Sequence, residues 1–461
     1  METEPVAAAT LSLPDDALAV VLARLPARSL AASRRVCVAW RDLIDERRLL
    51  APLLLPRSVG GLLLNYYNHR HPHLFARPSA TLMGGGPPRH DSKFIDEPSK
   101  RSWVLDHCGG LVLYTNSTAA LYVCNPATRR WARLPDCSAG RRKKDWCAYL
   151  AFDPATSPCY QVLVPSSTNV PVEPYGAHPM DWPSPWAWHV FSSRKGGWGY
   201  MFFVREGEPV GTFRGLRANI CNPASGLWFS ATYWQGTLYV QFGREHVLRM
   251  SLSGSKYRVI RSPICQDDSY IGASTYLGKS EKGMCFATVH HGHCKLRVWV
   301  LNELGDEAAW VPTHQIDLKP CVWWAKTMEA AAAHGNLGQQ GVEGSWLLDD
   351  CCNFAEAAFH WPEYESEWDS DNDDVVAGAP SPSDEELPLW TDWKKETRGV
   401  VYRILGFHPY KDVVFLYASY VGLAYHLNSS KVQHLGNLRP HESCIGPDRS
   451  FVYTPCMIGD L

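Results

Sequence analysis

The sequence predicts two unlike parts: a small all-α N-terminal block of three helices, then a mainly-β domain. We read the β domain as a β-propeller, with a β-sandwich as the alternative. Three observations carry this. Leucines and valines fall at helical spacing between proline breaks in the first 44 residues. From about residue 100 onward, Trp, Tyr and β-branched residues run in short stretches broken by Gly, Pro, Asn and Asp, the rhythm of short strands and tight turns. One unit also repeats: Cys124-Asn125-Pro126-Ala127-Thr128-x-x-Trp131 returns as Cys221-Asn222-Pro223-Ala224-Ser225-x-x-Trp228.

In the N-terminal block, Pro14 suits the first turn of a helix, where its missing N–H costs nothing, with Ser12 as candidate cap. Asp15 and Asp16 sit where the positive end of the helix dipole favours acids. Leu18, Val21, Leu22 and Leu25 then follow at i, i+3, i+4, i+7 and share one apolar face. Pro26 ends that helix. Ser29 is placed to cap a second helix running to Val36. A third brings Val36, Trp40, Leu43 and Ile44 to one face. Helices this short cannot bury so much apolar surface alone, so a partner or the next domain is expected to cover part of it.

In the β region, two looser relatives of the repeat precede strand-like runs. Phe152-Asp153-Pro154-Ala155-Thr156 leads into Tyr160 to Val164, and Phe407-His408-Pro409-Tyr410-Lys411 leads into Val413 to Leu416. Asn and Asp bond their own following backbone, while proline pre-sets the turn. Repeated turns of this kind suggest blades that bury their faces only against neighbours. The domains are read as 10–50 for the helical block, 51–100 for a linker leading into the β domain, and 101–461 for the β domain.

Leu13-Pro14-Asp15-Asp16, Leu22, Leu25-Pro26, Leu30, Arg35-Val36-Cys37, Trp40-Arg41 and Leu43-Ile44, in that order, resemble the F-box of plant F-box proteins. The resemblance extends, more loosely, into the β domain. Gly110-Leu111-Val112-Leu113 with Asn125 to Trp131, Tyr276 to Ser280 with Leu296 to Glu303, Gly406 to Lys411, and Gly422 to His426 look like the propeller domains that accompany it. The resemblance implies a substrate-recognition subunit of an SCF-type ubiquitin ligase. The helices would dock on a Skp-type adaptor, and through it a cullin and a RING protein, while the β domain recruits a client protein. Carried over by position, Leu13, Pro14, Leu18, Leu22, Leu25, Pro26, Val36 and Trp40 would face the adaptor or support that face. The competing reading is a small amphipathic cap packed on its own domain.

Composition limits the other classes. At 461 residues and 45% hydrophobic the chain can bury a large core, and its net charge of -2 gives no global field for nucleic acid or membrane. Met1 to Leu11 carries no basic residue and no long apolar run, which argues against a secretory signal. Val413 to Tyr425, the most apolar stretch, is shorter than the ~18 residues of a membrane span. Fifteen cysteines without a C-x-x-C read as buried small hydrophobes in a reducing compartment. The expected location is cytoplasm or nucleus. Asn116-Ser-Thr and Asn428-Ser-Ser match the glycosylation triplet but read as turns.

No motif for catalysis, cofactor or metal binding emerges, and none is expected. Gly272 to Ser280 resembles a phosphate-binding loop with one residue too many between its glycines, and reads as a strand-connecting turn. The histidine clusters at 69, 71, 73 and at 290, 291, 293 (with Cys294 and His314) lack the spacing of a zinc site and read as solvated hairpin residues. Cys351 and Cys352 read as structural, and Arg141 to Lys144 as a solvated loop. Trp182, Trp186 and Trp188 offer the alternative function, an aromatic rim binding a glycan or small molecule, against core packing as the simpler reading. Pro362 to Asp392 holds eleven acids and no base. Its centre, 363–388, is expected to be a disordered insertion. Ser370 and Ser383, each followed by acids, are its candidate phosphorylation sites.

Overall fold

A computed structural model describes residues 13–25, 27–47, 49, 58–77, 101–128, 130–137, 147–166, 182–207, 230–264, 273–290, 294–304, 307–319, 321, 346–349, 401–440 and 446–457. Pro26, the repeat at 221–228, Arg141 to Lys144, His291, His293, Cys351, Cys352, and the acidic stretch with Ser370 and Ser383 lie outside them.

The N-terminal helices are α1 (Asp15–Leu22), α2 (Ala27–Ser33) and α3 (Val38–Glu46). Pro14 is the N-cap of α1 rather than its first residue, because its ψ of 142° is extended. Helix α2 already begins at Ala27, so Ser29 lies inside it and accepts the Ser33 hydroxyl through its carbonyl. Cys37 caps α3, which leaves Val36 in the preceding turn. Ala19, Leu22, Leu30, Leu43 and Ile44 form a small core, with Leu18, Leu25, Trp40 and Leu49 packed half-buried against it. Ion pairs Arg47–Asp16 at 2.5 Å and Arg34–Asp45 at 2.7 Å fasten α3 from outside. Both are exposed and add little.

Among the described residues the β region forms six four-stranded blades, two of which, blades 2 and 3, are joined at their last strands by a short parallel pairing, Val204 with Lys256 and Arg205 with Tyr257. Blade 1 is β3 (Ser102–Cys108), β4 (Leu111–Asn116), β5 (Leu121–Asn125) and β6 (Arg130–Arg133). Blade 2 is β7 (Tyr149–Ala151), β8 (Gln161–Pro165), β9 (Trp186–Ser192) and β10 (Gly197–Arg205). Blade 3 is β11 (Ala231–Trp234), β12 (Thr237–Phe242), β13 (His246–Ser251) and β14 (Lys256–Arg261). Blade 4 is β15 (Ala273–Ser280), β16 (Gly283–His290), β17 (Lys295–Leu304) and β18 (Glu307–Asp317). Blade 5 is β20 (Tyr402–Phe407), β21 (Val413–Ala418), β22 (Val421–His426) and β23 (Val432–Asn437). Blade 6 is assembled from three distant pieces: β24 (Pro447–Tyr453), β1 (Gly61–Tyr66), β2 (His73–Ala76) and β19 (Leu347–Asp349).

The first strand of each blade meets the first strand of the next, β3 to β7, β11, β15, β20, β24 and back to β3. Two face-to-face sheets cannot make this closed ring, so the sandwich alternative is excluded and the fold is a propeller. The ring is closed by β24 pairing antiparallel with β1, Gly61 opposite Tyr453 through Asn65 opposite Arg449. Residues 61–76, read from sequence as part of a linker, therefore supply two strands of the closing blade.

Each blade boundary has its own hydrophobic cluster, six in all. The strands are consequently buried on both faces: β1, β4, β12 and β21 are buried at every position. This explains the apolar stretch Val413 to Tyr425, which is two adjacent strands of blade 5. Among the described residues no helix is long and apolar enough to cross a membrane.

The turn chemistry forms as the sequence predicts. Thr128 N–H donates to Asn125 Oδ1 at 3.3 Å, Ala155 N–H to Asp153 Oδ1 at 3.0 Å, and Tyr410 N–H to His408 Nδ1 at 3.1 Å. Asn116 and Asn428 also serve local structure. Asn116 Oδ1 accepts from Thr118 and Ala120 N–H groups, and Asn428 Nδ2 donates to Asp412 at 2.7 Å.

Candidate functional site

Two surfaces can carry function, and the first is the outside of the helical block. Leu13, Val20, Val21, Val36 and Val38 are each between 54 and 64% exposed. Five large apolar side chains in water within so short a stretch mark a surface awaiting a partner. Of the sequence-predicted residues, Leu13, Pro14 and Val36 are exposed and Leu18, Leu25 and Trp40 are half-buried. Leu22 is 1% exposed and belongs to the core of the block, so it can act on a partner only by holding the helices together. The helical ladder could not separate Val21 from Leu22, because both lie on the apolar side. Packing of α1 on α3 turns Leu22 inward. Val20 and Val38 were missed because they fall off the ladder.

The second surface is the mouth of the propeller channel, where several innermost strands end. A small cleft of about 80 Å³, open to solvent, is lined by Asp106, His107 and Cys108 of β3, Thr232 and Tyr233 of β11, Tyr276 and Lys279 of β15, Phe407 of β20, Phe451 of β24, and Thr454 just beyond. Asp106 is a strut between blades: Leu150 N–H donates to its Oδ2 at 2.7 Å and His107 N–H to its Oδ1 at 2.9 Å. Burial pushes its pKa up to about 7, against the pull of these bonds and of the Arg449 charge. Burial and then the Lys279 charge lower His107 to about 3, so its imidazole is neutral; Thr454 N–H donates to its Nε2 at 3.4 Å. The Cys108 thiol donates to the Phe152 carbonyl at 3.0 Å, and burial pushes its pKa up to about 12. That cysteine is inert as a nucleophile. The Lys279 side chain makes no ion pair or hydrogen bond among the described residues, but its charge acts on His107 and Cys108.

Other sequence candidates resolve into structure. Gly278, Lys279 and Ser280 lie within strand β15, not in a turn, and another strand rather than a helix follows. His69, His71 and His73 are buried, contrary to the solvated reading. The β1–β2 hairpin tucks under blade 1, with His69 Nδ1 and His73 Nε2 at 2.8 Å and His71 Nδ1 at 3.0 Å from Ser102 Oγ. His290 ends β16 and Cys294 is buried, and no group of three metal-ligating side chains is found among the described residues. Trp182, Trp186 and Trp188 are buried in the cluster between blades 2 and 3, which removes the aromatic rim. A feature with no sequence signal is the strip Tyr200, Phe202 and Val204 on β10, alternate side chains that are all exposed.

Comparison with known proteins agrees with the helical block. Residues 10–51 match the family model of the F-box domain. The "F-box protein ETP2" of Arabidopsis thaliana is 31% identical over 135 residues, covering 27% of this chain and 34% of that protein. The match thus spans about a third of that relative's length. Among solved structures, "YCF48 bound to D1 peptide" covers 88% of this chain and 94% of its own at 9% identity and a TM-score of 0.35. "YCF48 from Cyanidioschyzon merolae" covers 56% and 73% at 12% identity and 0.28. The propeller assignment rests on the ring of six blades itself.

Proposed function

Residues 10–51 are an F-box, and from that premise we propose that the chain is a substrate-receiving subunit of an SCF-type ubiquitin ligase. The single observation that carries the proposal is the F-box with its apolar side chains left in water. A Skp-type adaptor would cover Leu13, Pro14, Val21 and Val36, with Leu18, Leu25 and Trp40 at the margin and Leu22 holding the helices beneath. Pro26, in the same motif, belongs to this assignment by position alone. The adaptor would join the chain to a cullin and a RING protein, in the cytoplasm or nucleus.

The propeller would present a client protein. Acting by proximity, the complex would hold a client lysine near a charged ubiquitin-conjugating enzyme and raise its effective concentration. No chemistry of the chain's own is needed. The exposed strip Tyr200, Phe202 and Val204 supports a protein-facing propeller wall, since alternate apolar side chains on one strand suit a flat contact. Affinity capture of a Skp-type adaptor by the full chain tests the reading. The wild type is expected to recover adaptor and the Leu13→Ala/Pro14→Ala double variant to recover much less. Equal recovery would count against it.

A further inference from the structure

The outer strand of blade 2 carries one further assignment, which rests on the reading of the propeller as the client-presenting part. We propose that the outer edge of β10 takes up an extended segment of the client by strand addition, a run of alternate apolar residues flanked by acids.

The backbone argues first. Strand β10 pairs with β9 from Gly197 to Phe203, whereas on its other side the pairing covers Val204 and Arg205, against Lys256 and Tyr257 of β14. Val204 N–H donates outward to the Ser255 carbonyl at 3.0 Å and Glu206 N–H to that of Tyr257 at 2.8 Å. Arg205 N–H turns inward, to Ser184 Oγ at 3.1 Å. Backbone groups alternate along a strand, so the N–H and C=O groups of Trp198, Tyr200 and Phe202 also point outward. Among the described residues no strand pairs with them on that side. The contact with β14 shows that this edge accepts a further strand.

An edge of this kind is ordinarily blocked by charge or proline. Outer strands of other blades follow that rule. Arg130 and Arg133 bracket β6, Lys256, Arg258 and Arg261 stud β14, and β18 holds Glu307, Pro312 and Asp317. Strand β10 has no charge from Gly197 to Val204. It presents Tyr200, Phe202 and Val204 on one face, 60, 53 and 51% exposed, with the two rings 6.4 Å apart and near parallel. A strand laid along the edge would set alternate side chains beside these, as cross-strand neighbours.

Charge selects the occupant. Arg194 and Lys195 are exposed in the turn before β10. Arg205, Lys256 and Arg258 stand at its other end with one acid, Glu206, which pairs with Lys256 at 2.7 Å. Asp136, next to the Pro135 carbonyl that accepts from Trp198, is held by Arg133 at 3.6 Å. A segment with acids on both flanks therefore meets cations at both ends. A second copy of this chain would set basic end against basic end in either orientation. Nucleic acid would use the cations and rings, but its phosphates only accept hydrogen bonds and would leave the outward C=O groups unmatched.

The test is calorimetric titration of the full chain with the blocked peptide Glu-Glu-Val-Thr-Val-Thr-Val-Glu-Glu. One control has Lys in place of each Glu, and another has Pro-Pro in place of the central Val-Thr. The parent peptide is expected to bind at least about tenfold more tightly than either, since the first meets like charge and the second cannot form the ladder. Tyr200→Thr and Phe202→Thr keep strand-forming residues at exposed positions. Each is expected to weaken the parent peptide about fivefold or more, with melting unchanged. The proposal is overturned if the parent peptide does not bind, if either control binds as well, or if both Thr variants keep full affinity. It is also overturned if oligouridylate binds more tightly than the peptide, if sedimentation shows a dimer that Phe202→Thr dissolves, or if deleting residues 363–388 strengthens peptide binding about tenfold. Those results would give the edge to nucleic acid, to a second copy or to this chain's own acidic stretch. No adaptor enters the titration, so its failure leaves adaptor capture by the F-box untouched, and failed capture leaves the peptide result untouched.

Discussion

Asp106 makes the propeller's stability depend on pH in a direction unusual for a carboxylate. The perturbation is Asp106→Asn. Its folded pKa of about 7 lies about three units above the ordinary value of 3.8, because burial outweighs the two N–H bonds it accepts. At about 1.4 kcal/mol per unit, its ionisation in place costs the fold at most ~4 kcal/mol above pH 7. The folded state takes the proton first, so this contribution is fully present as stability below pH 3.8 and is lost as pH rises through about 7. His107 and His434 work in the opposite direction. Burial lowers them to about 3 and about 4, so stability they support above 6.5 is lost as pH falls toward those values. The assay is urea unfolding followed by tryptophan fluorescence, wild type beside Asp106→Asn, from about pH 5 to about pH 8. The amide leaves one backbone N–H without an acceptor, a penalty of ~1–3 kcal/mol that does not vary with pH. The difference between the two proteins should nevertheless grow by ~2–3 kcal/mol in the wild type's favour on going from about pH 7.5 to about pH 5. A difference that stays flat across that range would show that burial of Asp106 does not raise its pKa.

Leu22→Ala is expected to cost the helical block ~2–5 kcal/mol, because Leu22 is fully enclosed in its core, and loss of helical circular dichroism at lower temperature would register it. Gly110→Ala should open the ring. Gly110 has φ +90° and its missing Cβ is occupied by Cys456, so the turn after β3 and the chain after β24 cannot both stay in place. A drop of more than ~1 kcal/mol in urea unfolding is expected. Trp188→Ala should cost ~3–5 kcal/mol in the same assay, since the ring is 1% exposed between blades 2 and 3. A glycan array should show no binding that depends on it.

The helices were legible because their leucine spacing and prolines act locally; the capping was less so. Pro14 and Ser29 were each misplaced by a few residues, since a proline serves equally as cap or first residue and a serine fits within a helix. The propeller was legible through its turns rather than its strands. The Asn125 unit closes the last hairpin of blade 1, whereas the Asp153 and His408 units close the first hairpins of blades 2 and 5. The repeat therefore marks turn chemistry and not blade phase, which is why its spacing looked uneven. Strand alternation was weak because each blade is buried on both sides. Blade 6 was hidden for another reason. Its strands come from residues 61–76, 347–349 and 447–453, and nothing local announces that β24 will pair with β1. The channel mouth has the same origin: Asp106, Thr232, Lys279 and Phe407 are far apart in sequence and meet only when the ring closes.

Adaptor docking on the helical block is tested most directly by the affinity of the full chain for a Skp-type adaptor, measured by calorimetry for the wild type and Val36→Asp. Val36 is 64% exposed and lies outside the helices, so the substitution should leave both domains' melting within ~0.5 kcal/mol of wild type. The adaptor is expected to bind the wild type and Val36→Asp to weaken binding by about tenfold or more, as where a charge replaces a desolvated anchor. Equal affinity of the two proteins, or no adaptor binding by either, would contradict adaptor docking at this surface.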